Sequence, residues 1–201
     1  MMTIQQFGND VLTAVQQHLP SGKVTFRGSF ASGQADEYSD VDVQADVHQE
    51  LNQEFFDSLT RCLQERFGPL SVRYDPDQKE NRMAQDLKIT FHRFAVFWRI
   101  DLNIKSDRDC PKKWPSPFPN WSIPGSAFWN VVWAVKHGNR GKAEIADHYM
   151  FCACDKMRRP HLTYSEDNAQ TLLSELAAFE EVDKTLIRKL QEEMRQSAGA
   201  E

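Results

Sequence analysis

Apolar residues at Ile4, Phe7, Val11, Leu12 and Val15 recur at helical spacing and predict an amphipathic helix over residues 3–18. The rhythm then changes. Lys23 to Arg27 alternates polar and apolar, which predicts a half-buried strand with Val24 and Phe26 inward. The run DVDVQADV, residues 40–47, alternates again. Residues 50–66 predict a helix with Leu51, Phe55, Leu59, Cys62 and Leu63 on one side. Three further strands follow, carried by Leu70, Val72 and Tyr74, by Leu87, Ile89 and Phe91, and by Trp98, Ile100, Leu102 and Ile104. Beyond residue 125 only the helical period remains, with helices predicted near 126–137, 141–158, 166–180 and 182–196.

Each predicted strand has one apolar and one polar face. A sheet of this kind packs helices on one side and leaves the other open. The open face should carry Thr25, Arg27, Asp40, Asp42, Lys88, Thr90, Arg99, Asp101 and Asn103. The expected class is α+β: a sheet with helices on one face, followed by a C-terminal helical bundle. The segment PKKWPSPFPNWSIP, residues 111–124, holds five of the nine prolines and can continue neither a helix nor a central strand. It divides the chain into a mixed domain at 1–110, a connector at 111–124 and a helical domain at 125–201. The connector aromatics Trp114, Phe118 and Trp121 are expected to pack it onto the body.

Composition narrows the classes. With 201 residues, the chain can bury a core without disulfides or a structural metal. Hydrophobic residues at 40% and charged residues at 26% are those of a globular chain. The longest apolar runs, such as residues 94–98, are too short to span a bilayer. The start shows no secretory signal, and four cysteines make no disulfide framework, so a cytoplasmic location is expected. A net charge of −5 argues against a general nucleic-acid binder.

The chemistry lies on the polar face. Asp40 and Asp42 are two apart on a strand, so their side chains leave together while Val41 and Val43 turn inward. Two close carboxylates repel each other unless a cation sits between them, and hard divalent ions take oxygen ligands. Asp101 repeats the pattern between Ile100 and Leu102 on another strand. Three converging carboxylates holding two ions is a recurring arrangement for phosphoryl and nucleotidyl transfer. Upstream, a strand runs directly into Gly28-Ser29, where glycine permits close approach of a phosphate. The stretch from Gly28 to Ala35 has the glycine spacing of a Walker A loop but Gln34-Ala35 in place of lysine and hydroxyl, so it is not a P-loop.

Gly28-Ser29, ten residues, Asp40-Val41-Asp42-Val43 and a later Asp101 between apolar neighbours resemble the polymerase-beta-like nucleotidyltransferase superfamily. Within it they are most similar to the small bacterial members, the minimal nucleotidyltransferases and antibiotic adenylyltransferases. The resemblance implies a nucleotidyltransferase-like mixed sheet. It implies transfer of a nucleoside monophosphate from a triphosphate, ATP above all, to an acceptor hydroxyl, with two Mg²⁺ held by Asp40, Asp42 and Asp101. Gly28 and Ser29 would meet the triphosphate. Asp101 would hold the second ion or act as general base, with Glu144 and Asp147 as alternatives. Many small members carry a basic residue where this chain has Ser32, so charge must come from elsewhere. The segment KHGNRGK, residues 136–142, offers Lys136 and Arg140, or is a solvated turn between helices.

The acceptor is expected to be small and cationic. Residues 31–66 hold nine acids against Arg61 and Arg66, a local balance of −7 that attracts cations and repels polyphosphate chains. The cleft between the two halves is the expected place for such an acceptor. His148, Cys152 and Cys154 lack a fourth ligand at zinc spacing and are expected on a packed helix face. Phe128, Trp129, Val132 and Trp133 are expected in the core. Two other classes stay open: a nucleotide-binding module without turnover, of the toxin–antitoxin kind, and a nucleotidyltransferase that modifies a protein or RNA, the acidic balance weighing against RNA.

Overall fold

Thr3 starts the first helix, α1 (Ile4–His18), through a capping box: its hydroxyl accepts from the Gln6 amide at 3.2 Å, and the Gln6 side chain accepts from the Thr3 amide at 2.9 Å. The apolar positions Ile4, Phe7, Val11 and Val15 are all buried on one side. The structure is a computed structural model and describes residues 2–74, 84–108 and 122–198. After α1 come β1 (Lys23–Phe26), a single turn α2 (Gly28–Ala31) and β2 (Val41–Val47). Then follow α3 (Gln53–Phe67), β3 (Leu70–Tyr74), β4 (Ala84–Phe91) and β5 (Ile100–Ser106). Asn52 caps α3, accepting from the Phe55 amide at 2.9 Å.

The five strands form one mixed sheet in the order β1-β2-β5-β4-β3. β2 and β5 run parallel, and the other pairs are antiparallel. The α+β class is the one expected. Val41, Val43, Ala45 and Val47 of β2 share a core with Leu87, Ile89 and Phe91 of β4 and Ile100, Leu102 and Ile104 of β5. Phe7, Val11, Leu59, Leu63 and Phe67 from α1 and α3 complete it. Its aromatic end is edge-on: the Phe7 ring meets Phe67 at 5.8 Å and Phe91 at 6.0 Å between centroids.

The other face is polar, as the alternation predicted, but it is not open along its middle. Thr90, Arg99 and Asn103 expose only 1%, 5% and 7% of their surface. β5 is the central strand, so its polar side chains are flanked on both sides by those of β2 and β4. Asn103 accordingly spends its amide on Asp86, at 2.5 Å.

The chain folds as two compact units, Met1–Asn120 and Trp121–Glu201. The expected connector lies outside the described residues up to Trp121, as do Cys110, Trp114 and Phe118. In the second unit are α4 (Ile123–Asn139), α5 (Ala143–Lys156), α6 (Glu166–Leu176) and α7 (Lys184–Ala198). α4 begins earlier than expected. Ser122 caps it, accepting from the Gly125 amide at 3.0 Å, and Pro124 sits in its first turn. Proline has no N–H to lose there and its fixed φ suits a helix start. Phe128, Trp129 and Val132 are buried in this unit. Among the described residues, no helix is long and apolar enough to cross a membrane.

Candidate active site

The start of β2 is held from both sides. The Val41 amide donates to the Arg99 carbonyl and the Arg27 amide to the Asp42 carbonyl, each at 2.8 Å. This double pairing fixes the backbone that carries Asp40 and Asp42. Asp42 and Asp101 are register partners across the parallel β2–β5 pair, so their side chains leave the same face side by side. Asp40, two residues before Asp42, joins them. One carboxylate oxygen from each of Asp40, Asp42 and Asp101 lies within 4.8 Å of the others.

The loop leading to Asp40 is braced by its own short bonds. Ser39 is buried; its hydroxyl donates to Asp36 Oδ1 at 2.8 Å and accepts from the Asp36 amide at 2.9 Å. The Trp98 indole donates to the Glu37 carbonyl at 2.9 Å, tying the loop to the chain that enters β5.

Gly28 stands directly against the carboxylates. Its φ of +54° suits glycine, and a Cβ there would come within 2.4 Å of Asp42 Oδ2. The sequence put a glycine upstream of the acids; in the structure any larger residue there would be strained and would displace the Asp42 side chain. Ser29 follows in α2, its carbonyl taken by the Gln34 amide at 2.8 Å and the Ser32 hydroxyl at 3.2 Å. Phe30 anchors this turn. Its ring lies so close to Gly8 of α1 that a Cβ on Gly8 would meet it at 2.2 Å, and it packs on Phe26 at 4.9 Å.

The three acids differ in their surroundings. Burial pushes the Asp42 carboxyl up to about 6, and the charges of Asp40 and Asp101 push in the same direction. Burial acts on Asp101 too, but Arg99 and Lys88 outweigh it and hold that carboxyl below the usual range. Arg99 grips Asp101 with two bonds, Nε to Oδ1 at 2.6 Å and Nη2 to Oδ2 at 2.8 Å. Lys88, the register partner of Asp101 on β4, donates to Oδ2 at 2.9 Å. Arg99 Nη2 also lies 3.6 Å from Asp40 Oδ2. Sequence reasoning set Lys88 and Arg99 on the polar face and gave them no role. The available signal was Arg99 two residues before Asp101, hence on its side of the chain.

Hard oxygen donors around a carboxyl raised by burial and then by its like-charged neighbours fit a divalent cation, which would offset both. Asp40 and Asp42 are the residues that would hold it.

The remaining candidates lie in the second unit. Lys136 is buried on α4, its ammonium 4.1 Å from the centroid of the Trp133 ring. Arg140 is the C-cap of the same helix. Asp147 on α5 accepts from the Tyr164 amide at 2.6 Å, and Glu144 lies in the first turn of α5. His148 and Cys152 meet at 3.7 Å on α5.

No protein-family model and no curated protein matches the chain. Among solved structures it is similar to the poly(A) polymerase complex GLD-2–GLD-3, at 19% identity and a TM-score of 0.35, covering 68% of this chain and 44% of that one. It is also similar to the GLD-2/RNP-8 complex, at 15% identity and 0.37, covering 92% and 68%. A third likeness, at 11% identity and 0.37, is to the polymerase core of TRAMP, an RNA surveillance complex, covering 96% of this chain and 55% of that one. The chain thus spans 44% to 68% of the length of these structures.

Proposed function

We propose that the first unit is the catalytic centre of a Mg²⁺-dependent nucleotidyltransferase, moving a nucleoside monophosphate from a triphosphate, ATP above all, to a hydroxyl of a small cationic acceptor. One observation carries the reading: three carboxylates converge within 4.8 Å beside a glycine where a Cβ would press on Asp42 Oδ2. A purely structural role does not explain that convergence. Burying a carboxylate beside like charges costs stability, and the Asp42 carboxyl, raised by burial first and by Asp40 and Asp101 after it, is the sign of that cost.

The residues divide the work. Gly28 and Ser29 present backbone and hydroxyl to the phosphates at close range, and exposed Arg27 beside them supplies positive charge that Ser32 does not. Asp40 and Asp42 hold the divalent ion, which when bound neutralises charge on the triphosphate. The acceptor oxygen attacks the α-phosphorus in line and its hydroxyl proton passes to solvent water; that P–O bond forms as the bond to the β-phosphate bridge breaks, and pyrophosphate leaves. Catalysis comes from positioning and charge neutralisation. Asp101 is a poor general base, because both of its oxygens already accept from cations. The balance of −7 over residues 31–66 favours a cationic acceptor.

The test is pyrophosphate release with Mg²⁺ and each of the four nucleoside triphosphates, with and without a polyamine-like sugar. Release that needs both Mg²⁺ and the sugar is expected with one nucleotide preferred. Absence of release with every triphosphate, together with no thermal stabilisation by Mg²⁺ and nucleotide, would end the proposal.

A further inference from the structure

The resemblance implies two ions shared among three carboxylates, but the three are not equally available. Asp101 Oδ2 accepts from Arg99 Nη2 at 2.8 Å and Lys88 Nζ at 2.9 Å, which takes both of its lone pairs. Oδ1 accepts from Arg99 Nε at 2.6 Å. Neither cation is a loose surface charge: the side chains of Arg99 and Lys88 are 6% and 20% exposed. Arg99 cannot lose its proton in a protein, and its fork is already matched to this carboxylate. A divalent ion ligated by Asp101 would sit against two positive charges in a partly desolvated place, where like-charge repulsion is strong. Arg99 and Lys88 also cancel two of the three negative charges the acids bring. The contact of Arg99 with Asp40 is looser: at 3.6 Å it is an ion pair beyond hydrogen-bond reach.

We infer that the centre takes one divalent ion, held by Asp40 and Asp42, and that Lys88, anchored on Asp101, supplies the positive charge of the second. This rests on reading the carboxylates as a nucleotidyltransferase centre. Asp101 is then a positioning residue for Lys88 and Arg99, and is no metal ligand.

Mn²⁺ in place of Mg²⁺ gives a test that does not depend on turnover. The full chain is titrated with Mn²⁺, alone and with a triphosphate whose α–β bridge is methylene, and ions are counted by electron paramagnetic resonance. The expected result is one Mn²⁺ per chain with an uncoupled spectrum in both conditions. Lys88→Met should admit a second ion and, in the presence of the triphosphate, the spin coupling of a pair roughly 3.5–4 Å apart. Lys88→Arg, which keeps the charge, should stay at one. Two coupled ions in the native chain overturn the inference, and so does a folded Lys88→Met that still binds one. The native spectrum decides even where Lys88→Met does not fold. A native chain that binds no Mn²⁺ in either condition removes the nucleotidyltransferase reading itself. Two coupled ions together with pyrophosphate release remove only the single-ion inference.

Discussion

Arg99 closes both oxygens of Asp101 with two parallel bonds, from a position two residues earlier on the same side of the chain. The pair lies at the centre of the sheet, and breaking it leaves an uncompensated charge. Arg99→Met should therefore cost about 3 kcal/mol of stability, the usual scale for removing one partner of a buried pair; Lys88 keeps it from the upper end. Urea unfolding measures it. Arg99→Lys should recover only part, since an ammonium cannot make both bonds. A loss within error of zero would show the pair contributes nothing.

Asp42→Asn should separate activity from stability. Turnover should fall at least about 10²-fold, the scale for losing one group that stabilises transition-state charge. Stability should move the other way. The folded carboxyl titrates near 6, above its ordinary value of 3.8, so the folded state binds more protons between those values. Stability is therefore lost as pH rises through that window. The variant should be more stable than native at pH 7 by roughly 1 kcal/mol, after allowing for solvent screening of a half-buried group. The advantage should vanish below about pH 4, where the native carboxyl is protonated in both states. Melting temperatures of the two chains across pH check the sign.

Gly28→Ala should disturb Asp42 without touching the core. The strain of φ +54° and the 2.4 Å approach to Asp42 Oδ2 together should cost roughly 1–3 kcal/mol. The thermal stabilisation given by Mn²⁺ should shrink with it. A Gly28→Ala chain with native Mn²⁺ affinity would show that the close approach is incidental.

The seat of Phe30 on Gly8 predicts an energetic coupling between residues 22 apart in sequence. Gly8→Ala pushes the ring, and with it the Gly28-Ser29 turn, so the KM for triphosphate should rise. Phe30→Leu in the same chain should recover most of the loss. The double-mutant cycle should give a coupling of roughly 0.5–3 kcal/mol, the range for residues in contact. Additive effects would mean that α1 does not position the turn.

Much of this was legible in the sequence. Alternation placed Asp42 and Asp101 on polar faces, because the side-chain period of a strand is two and Val41, Val43, Ile100 and Leu102 declare the buried side. That the two aspartates sit side by side depends on β5 pairing with β2, and long-range pairing leaves no local mark. For the same reason the polar face was expected open. Which strand is central is a tertiary fact, and it is centrality that buries Asn103 on β5, while Thr90 lies on the neighbouring β4 and Arg99 just before β5. Lys136 was legible as a charge but not as a buried one. Its contact with Trp133, three residues earlier on α4, follows from helix spacing, whereas its burial comes from the packing of that helix.

The central strand of the sheet is the last of the five to be synthesised. β5 inserts between β2 and β4, and it brings Asp101 to Asp42 from 59 residues away. A chain emerging from the ribosome without β5 has two unsatisfied strand edges, on β2 and on β4, each presenting free amides and carbonyls to other chains. Closing so long a loop is slow, and it precedes any reward from the strand pairing. Nascent chains stalled before residue 100 should thus be prone to aggregate, and Asp101, with Arg99 beside it, joins Asp40 and Asp42 only at the final insertion step. The grouping of the three carboxylates and the completion of the sheet are thereby one event.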